Sequence, residues 1–320
     1  MTRLVIATRG SKLALWQANW VKAEIETHFP GTTVELNVIK TTGDRITDVP
    51  LAQVGGKGLF VKEIEEALLD RSADLAVHSM KDVPADLPDG LELSAITRRE
   101  DVRDAFISNH HASLAALPHG ARVGSSSLRR RAQIMAARPD LDVRVLRGNV
   151  DTRLRKLDQG EFDAILLAAA GMRRLGWADR IREYLSPELC LPAIGQGALG
   201  LETRVGDAAL APIARHFNHP DTADAVLAER ALLRRLEGGC QVPIAALGTV
   251  DGGTVTLVGL VAATDGSEVI RKRASGPRAD AERIGTKLAE ELLAAGGGRI
   301  LEAVYGKTVH EILHRGGTPS

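Results

Sequence analysis

Two α/β lobes facing one another across a cleft, each a doubly wound sheet, with a small α+β unit at the carboxyl end, is the architecture this sequence predicts. Short β-rich runs alternate with amphipathic helical stretches, the pattern of largely parallel sheets. One order of elements (strand, anion-friendly loop, helix, strand, loop, helix, strand) occurs once near the start and again after about residue 120. From about Asp221 the grammar changes to a long helix, a glycine-rich loop and consecutive strands. A chain of 320 residues is too long for one ordinary domain. Hydrophobic residues make up 44% of it but aromatics only 3%, so its cores must be aliphatic.

In the first lobe, Arg3 to Thr8 reads as an apolar strand, and Gly10-Ser11 opens a helix from Lys12 to His28 that Pro30-Gly31 ends. Thr33 to Ile39 is the next strand, Gly58 to Asp70 a helix, and Asp74 to Ser79 a short buried strand. In the second lobe, Ala121 to Gly124 is a strand and Ser125-Ser126-Ser127 a cap. The helix Leu128 to Ala137 stops before Pro139. Strand Asp142 to Leu146, helix Val150 to Asp158 and strand Phe162 to Ala168 complete the set. The carboxyl-terminal unit reads as helix Thr222 to Arg235, strands Ala245 to Val250, Thr254 to Ala262 and Glu268 to Arg273, and helix Ala279 to Ala294. Open α/β sheets bind ligands beyond the carboxyl ends of their strands. Two such lobes around a cleft are similar to a periplasmic binding protein in fold, which says nothing about chemistry.

Lys plus Arg equals Asp plus Glu at 41 each, so the balance of a general polyanion binder is absent and nucleic acid is not an expected partner. No apolar run approaches the roughly 20 residues that span a bilayer. The start, Met1 to Arg9, runs straight into a strand pattern without the features of a signal peptide. Two cysteines make no disulfide framework, and the expected compartment is a reducing cytoplasm.

The most informative segment is His78-Ser79-Met80-Lys81-Asp82-Val83-Pro84. Lys81 and Asp82 fall in the turn after a strand's carboxyl end, where such sheets carry functional groups. A solvated Lys-Asp pair is the plain alternative. In Gly124-Ser125-Ser126-Ser127-Leu128-Arg129-Arg130, hydroxyls cap a helix start that also attracts anions. Arg129 and Arg130 oppose the helix macrodipole there, so an anionic ligand is required to justify them, unless the start is merely basic and solvated. Arg147-Gly148, Arg153, Arg174, Arg9, Ser11 and Lys57 stand at or beside further strand-to-helix junctions. Together these cations predict a small ligand with several carboxylates. An enzyme and a non-catalytic binding module both satisfy that description.

Gly55-Gly56-Lys57-Gly58 is not a phosphate loop, because Gly58 follows the lysine and Leu51 occupies the first glycine position. Cys240, between Gly239 and Gln241 in an exposed glycine-rich loop, is either a nucleophile or an attachment point. Cys190 packs as a small hydrophobe. His110-His111 has no partner at ligand spacing, and no metal is expected.

Several motifs in register resemble the hydroxymethylbilane synthase (porphobilinogen deaminase) family across about residues 3 to 245: Arg9-Gly10-Ser11-Lys12-Leu13-Ala14-Leu15-Trp16-Gln17, Gly55 to Phe60, His78 to Pro84, Gly124 to Arg130, Leu146 to Arg153, Pro192-Ala193-Ile194-Gly195-Gln196-Gly197, and Glu237-Gly238-Gly239-Cys240-Gln241-Val242-Pro243. The resemblance implies three domains: residues 1–98 with 198–216, residues 99–197, and residues 217–320. It implies a dipyrromethane cofactor joined by a thioether to Cys240, with four porphobilinogens added stepwise, each losing ammonia, before hydrolysis releases the linear tetrapyrrole. Asp82 is the implied catalytic residue. Ser79, Lys81, Ser125, Ser127, Arg129, Arg130, Arg147 and Gly148 are implied for the cofactor. Arg9, Ser11, Lys57, Arg153, Arg174 and Gln196 are implied for substrate. A monomer acting on small molecules, without nucleic acid or membrane, is expected.

Overall fold

β1 (Thr2–Arg9) leads into α1 (Lys12–His28), whose first turn is capped by the Ser11 hydroxyl accepting from the amide of Ala14 at 3.2 Å. β2 (Thr32–Ile39), α2 (Lys62–Leu69), β3 (Leu75–Ser79) and β4 (Leu91–Ile96) follow. The computed structural model describes residues 2–45, 61–236 and 242–306. The first sheet has the order β2-β1-β3-β10-β4, with β10 being Leu199–Arg204. β1 runs parallel to β2 and β3, whereas β10 is antiparallel to both its neighbours.

The second sheet repeats this plan. It is built from β5 (Asp104–Ile107), β6 (Arg122–Gly124), β7 (Asp142–Arg144), β8 (Ala164–Ala168) and β9 (Glu183–Leu185), in the order β7-β6-β8-β5-β9. Here β5 is the reversed strand, antiparallel to β8 and β9. α3 (Leu128–Ala137), α4 (Val150–Asp158) and the short α5 (Ala169–Arg174) flank it. In each sheet the reversed strand is the first one the chain forms on entering that sheet from the other. The predicted parallel sheets therefore each carry one inverted strand, and the chain does return to the first sheet.

Alternation along the strands feeds both faces. Leu75 and Val77 pack on Ala18, Val21 and Ile25 of α1, while Ala76 meets Ile64 and Leu68 of α2. In the second sheet Val123 and Leu166 face Ile134 of α3, and Ile165 and Leu167 face Leu154 and Leu157 of α4. Each such aliphatic side chain contributes about 1.5–3 kcal/mol on burial. Phe106 is the one aromatic side chain among the largest fully buried ones.

The two crossings between the sheets pair with each other. Thr97 donates its amide to Leu199 O at 3.0 Å, and Glu100 donates to Gly197 O at 3.1 Å. Gly197 has φ +93°, and a Cβ there would stand 2.4 Å from Glu100 O, so only glycine fits this approach. α6 (Ala211–Phe217) covers the first sheet. Beyond it, α7 (Pro220–Arg235) and α8 (Ala281–Leu292) pack on a three-stranded antiparallel sheet of β11 (Ile244–Asp251), β12 (Thr254–Ala262) and β13 (Val269–Pro277), and α9 (Gly298–Tyr305) closes that core.

Candidate functional site

β3 ends at Ser79, and Met80–Asp82 form a single 3₁₀ turn. Met80 anchors the turn from below: its side chain is fully buried and its amide donates to Ala198 O at 3.0 Å. From the far side, Arg230 of α7 donates to Pro84 O at 2.8 Å and to Ala85 O at 3.0 Å. Burial lowers the Arg230 guanidinium to about 10, still charged at neutral pH. The turn is thus held at both ends, and Lys81 and Asp82 project from a fixed backbone.

The Asp82 carboxylate has no hydrogen-bond or ion-pair partner among the described residues, and it lines a cavity of about 60 Å³ with Arg9, Ser11, Gln17, His78 and Ser79. Ser79 is oriented by Gln17, whose side-chain amide donates to its hydroxyl at 2.9 Å. Lys81 likewise has no carboxylate partner among the described residues. Burial lowers its pKa, while Asp82 and Asp104 favour the charged form and Arg130 and Arg129 oppose it.

The facing wall belongs to the second sheet. Ser127 caps α3, accepting from Arg130 N at 3.4 Å, and Ser125 accepts from Ser127 N at 3.2 Å. Arg129 and Arg130 are buried, and the anion that justifies them is within the chain. Asp104, at the start of β5, receives Arg129 Nη1 at 2.7 Å and Arg130 Nη2 at 2.8 Å. Burial works against the Asp104 charge, but the two guanidiniums outweigh it and hold the carboxyl far below its ordinary range. Gln196 donates to the same carboxylate at 3.0 Å, and the Cys190 thiol lies 3.2 Å from it. Burial first and the Asp104 charge second push that thiol up to about 12, so Cys190 stays protonated. Two buried polar atoms of this network remain without partners, Arg129 Nε and Gln196 Oε1.

Arg147 has no polar partner among the described residues. Arg153 donates only to Gly148 O, at 2.7 Å, and Arg174 only to Gly197 O, at 2.7 Å, with its guanidinium 6.0 Å from the Trp16 ring centre. Burial lowers Arg153 and Arg174 to about 10 each; Arg130 adds to the shift at Arg153 and Asp82 opposes it. The turn that presents Arg147 and Arg153 needs Gly148, which has φ +111° and would place a Cβ 2.7 Å from Thr152 Cγ2. Across the mouth of the cleft, Lys12 reaches Asp151 at 3.9 Å.

Arg9, Ser11, Ser79 and Asp82 therefore share one cavity, with Arg153 electrostatically close to Asp82 and Lys81 close to Arg129 and Arg130. Ser125 and Ser127 are engaged in their own turn and cap. Lys57 and Cys240 lie outside the described residues. Sequence reasoning missed Asp104 and Arg230. Asp104 carried a weak signal, an acid opening the apolar run Ala105-Phe106-Ile107.

The chain matches the family model described as porphobilinogen deaminase, dipyromethane cofactor binding domain, over residues 4–212, and that of the porphobilinogen deaminase C-terminal domain over residues 223–294. The chain belongs to the porphobilinogen deaminase family. It is 60% identical to the porphobilinogen deaminase of Geobacter sulfurreducens over 97% of each chain, and 60% identical to that of Trichlorobacter lovleyi over 96% of this chain and 98% of the other. Among solved structures, a periplasmic substrate-binding protein of an ABC transporter from Coxiella burnetii is similar over 72% of this chain and 95% of its own, at 15% identity and a TM-score of 0.42. The activity of this family member is hydroxymethylbilane synthesis, a transferase reaction of tetrapyrrole biosynthesis, and its cofactor is dipyrromethane. No helix among the described residues is long and apolar enough to cross a membrane.

The residues present fit that cofactor. Lys81, Arg147, Arg153 and Arg174 are cations without carboxylate partners among the described residues, which suits acetate and propionate side chains. Asp82 is a free acceptor for pyrrole N–H groups, and Arg129 Nε is a buried donor still to be satisfied.

Proposed function

We propose that Asp82 is the catalytic carboxylate of this deaminase and that the cations facing it hold the carboxylates of cofactor, substrate and growing chain. The observation that carries this reading is an acceptor-only carboxylate, lacking any partner among the described residues, lining one cavity with Arg9, Ser11 and Ser79.

Dipyrromethane, when bound, supplies the pyrrole on which the chain is extended. Porphobilinogen must lose its amine as ammonia, the C–N bond pair leaving with nitrogen and positive charge remaining on the methylene-pyrrole. Asp82 stabilises that charge in a partly desolvated cleft, where a fixed charge acts more strongly than in water. It then takes the proton released from the attacked carbon once the new C–C bond has formed, and gives it up to the next departing amine. Ser79, Lys81, Ser125, Ser127, Arg129, Arg130, Arg147 and Gly148 form the cofactor side. Arg9, Ser11, Lys57, Arg153, Arg174 and Gln196 form the substrate side. Cys240 is the attachment point, at the edge of a third domain of residues 217–320, behind domains of residues 1–98 with 198–216 and of residues 99–197. The enzyme works as a cytoplasmic monomer, without nucleic acid or a membrane.

Intact-protein mass spectrometry tests the anchor. The chain should carry an addition of dipyrromethane size that Cys240→Ser lacks, and an addition retained by the variant would move the anchor elsewhere. Asp82→Asn tests the chemistry: kcat should fall at least about a hundredfold, on the scale of losing one preorganised charge, with an unchanged circular dichroism spectrum. Turnover within a few fold of the parent would remove Asp82 from the reaction.

A further inference from the structure

Far from the cleft, the last turn of α1 and the last turn of α6 meet edge to edge. Glu24 and His28 stand at i and i+4 on α1, and His216 comes from α6. Glu24 Oε2 lies 3.5 Å from His28 Nδ1 and 3.5 Å from His216 Nε2. Both separations are long for charge-assisted hydrogen bonds, which close to about 2.7–2.9 Å. They match the edge of a tetrahedron around a dication with bonds of about 2.0–2.2 Å. One ligand atom from each of the three residues lies within 4.8 Å of the other two. The Glu24 carboxylate makes no other hydrogen bond or ion pair among the described residues.

The ligands are held in place before any ion arrives. His216 is edge-on to Phe29, with ring centres 5.7 Å apart, and to Phe217 at 5.2 Å, while the two histidine rings lie 4.4 Å apart. Glu24 and His216 are each about one third exposed, leaving a solvent path for an ion and for a water as fourth ligand. Two helices end here, and the partial negative charge of their free carbonyls favours a cation.

We infer that Glu24, His28 and His216 form a binding site for a divalent transition-metal ion of the zinc type, clamping the end of α1 to α6. Two imidazoles and one carboxylate are a donor set such ions accept, the fourth position being water. In the ion-free chain His28 Nδ1 lies 3.0 Å from Glu24 O and donates its proton there. Binding moves that proton to Nε2 and turns the Nδ1 lone pair to the ion. This site stands apart from Asp82 and from every cation of the cleft, so its occupancy is independent of cofactor loading.

The test is calorimetric titration of chelator-treated holoenzyme with Zn²⁺, beside His28→Ala and His216→Ala. The parent should bind one ion with micromolar or tighter affinity, each variant at least about tenfold more weakly, with deaminase turnover unchanged in the variants without metal. Co²⁺ substitution should add the visible absorption of a four-coordinate ion, absent from His216→Ala. Lack of uptake by the parent overturns the site, and so does uptake that both variants retain, which would place the ion on other histidines.

Discussion

Glu65, on α2, is buried beside the Glu202 carboxylate, which His78 contacts at 2.8 Å. Burial first and the Glu202 charge second push Glu65 from its ordinary 4.5 up to about 7. A carboxyl group whose folded pKa is raised adds its stability in full below the unfolded value and loses it as pH climbs through the folded one. Folding should therefore weaken between about pH 4.5 and 7 through this group. Glu65→Gln, which cannot ionise, should flatten that slope, and its advantage over the parent in urea midpoint should grow with pH. Equal slopes in parent and variant would show Glu65 charged at neutral pH. At this scale the sequence was partly legible. Two arginines in the first turn of α3 set up a demand that the sequence assigns to an anionic ligand. The anion that meets it in the structure is Asp104, far off in sequence and brought in only by the pairing of β5 with β8. Asp82 was legible because a strand's carboxyl end is a place sequence can locate.

At the scale of elements, α7 joins parts that periodicity treats as unrelated. Glu229 is fully buried, receives Arg99 Nη1 at 2.6 Å, and accepts from Gly195 N at 2.6 Å and Gly248 N at 2.7 Å. One carboxylate thus fastens both crossings between the sheets to the carboxyl-terminal unit. The next residue, Arg230, holds the carbonyls that follow Asp82. Arg230→Met keeps the packing but leaves those carbonyls without donors, a cost of about 1–3 kcal/mol. The expected result is a lower unfolding midpoint together with a loss of kcat larger than any rise in KM. A lower midpoint with unaltered kcat would show that the turn keeps its place without this grip. Of the long helices α1 was readable end to end, spanning Lys12–His28 as its cap and the following Pro30-Gly31 imply. By contrast α7 starts at Pro220 and α8 spans Ala281–Leu292, each two residues off the reading. β5, β9 and β10 were not readable. β9 has three residues, and β10 carries Gly200 and a buried Glu202, both foreign to a central strand. Gly200 is needed because the Met80 sulfur would lie 2.3 Å from a Cβ there. The neighbour that decides the residue is visible only in the fold.

For the whole molecule, the paired crossings make the second sheet one uninterrupted stretch of chain, whereas the first sheet is assembled from two. β10 lies between β3 and β4 and bonds to both, so β4 has no place in the first sheet until residue 204 exists. The second sheet already has all five strands at residue 185. A ribosome adds about 5–20 residues per second, which is slow beside the folding of a small domain. The lobe that begins later is thus the first able to finish, and the lobe bearing Asp82 waits for it. A chain ending at residue 198 imitates that moment. Amide exchange should find β6 and β8 protected in it and β4 open, whereas equal protection of all three would mean that β3 and β4 associate without the strand between them. The enzyme's oldest-made segment, on this account, is among the last to acquire its shape.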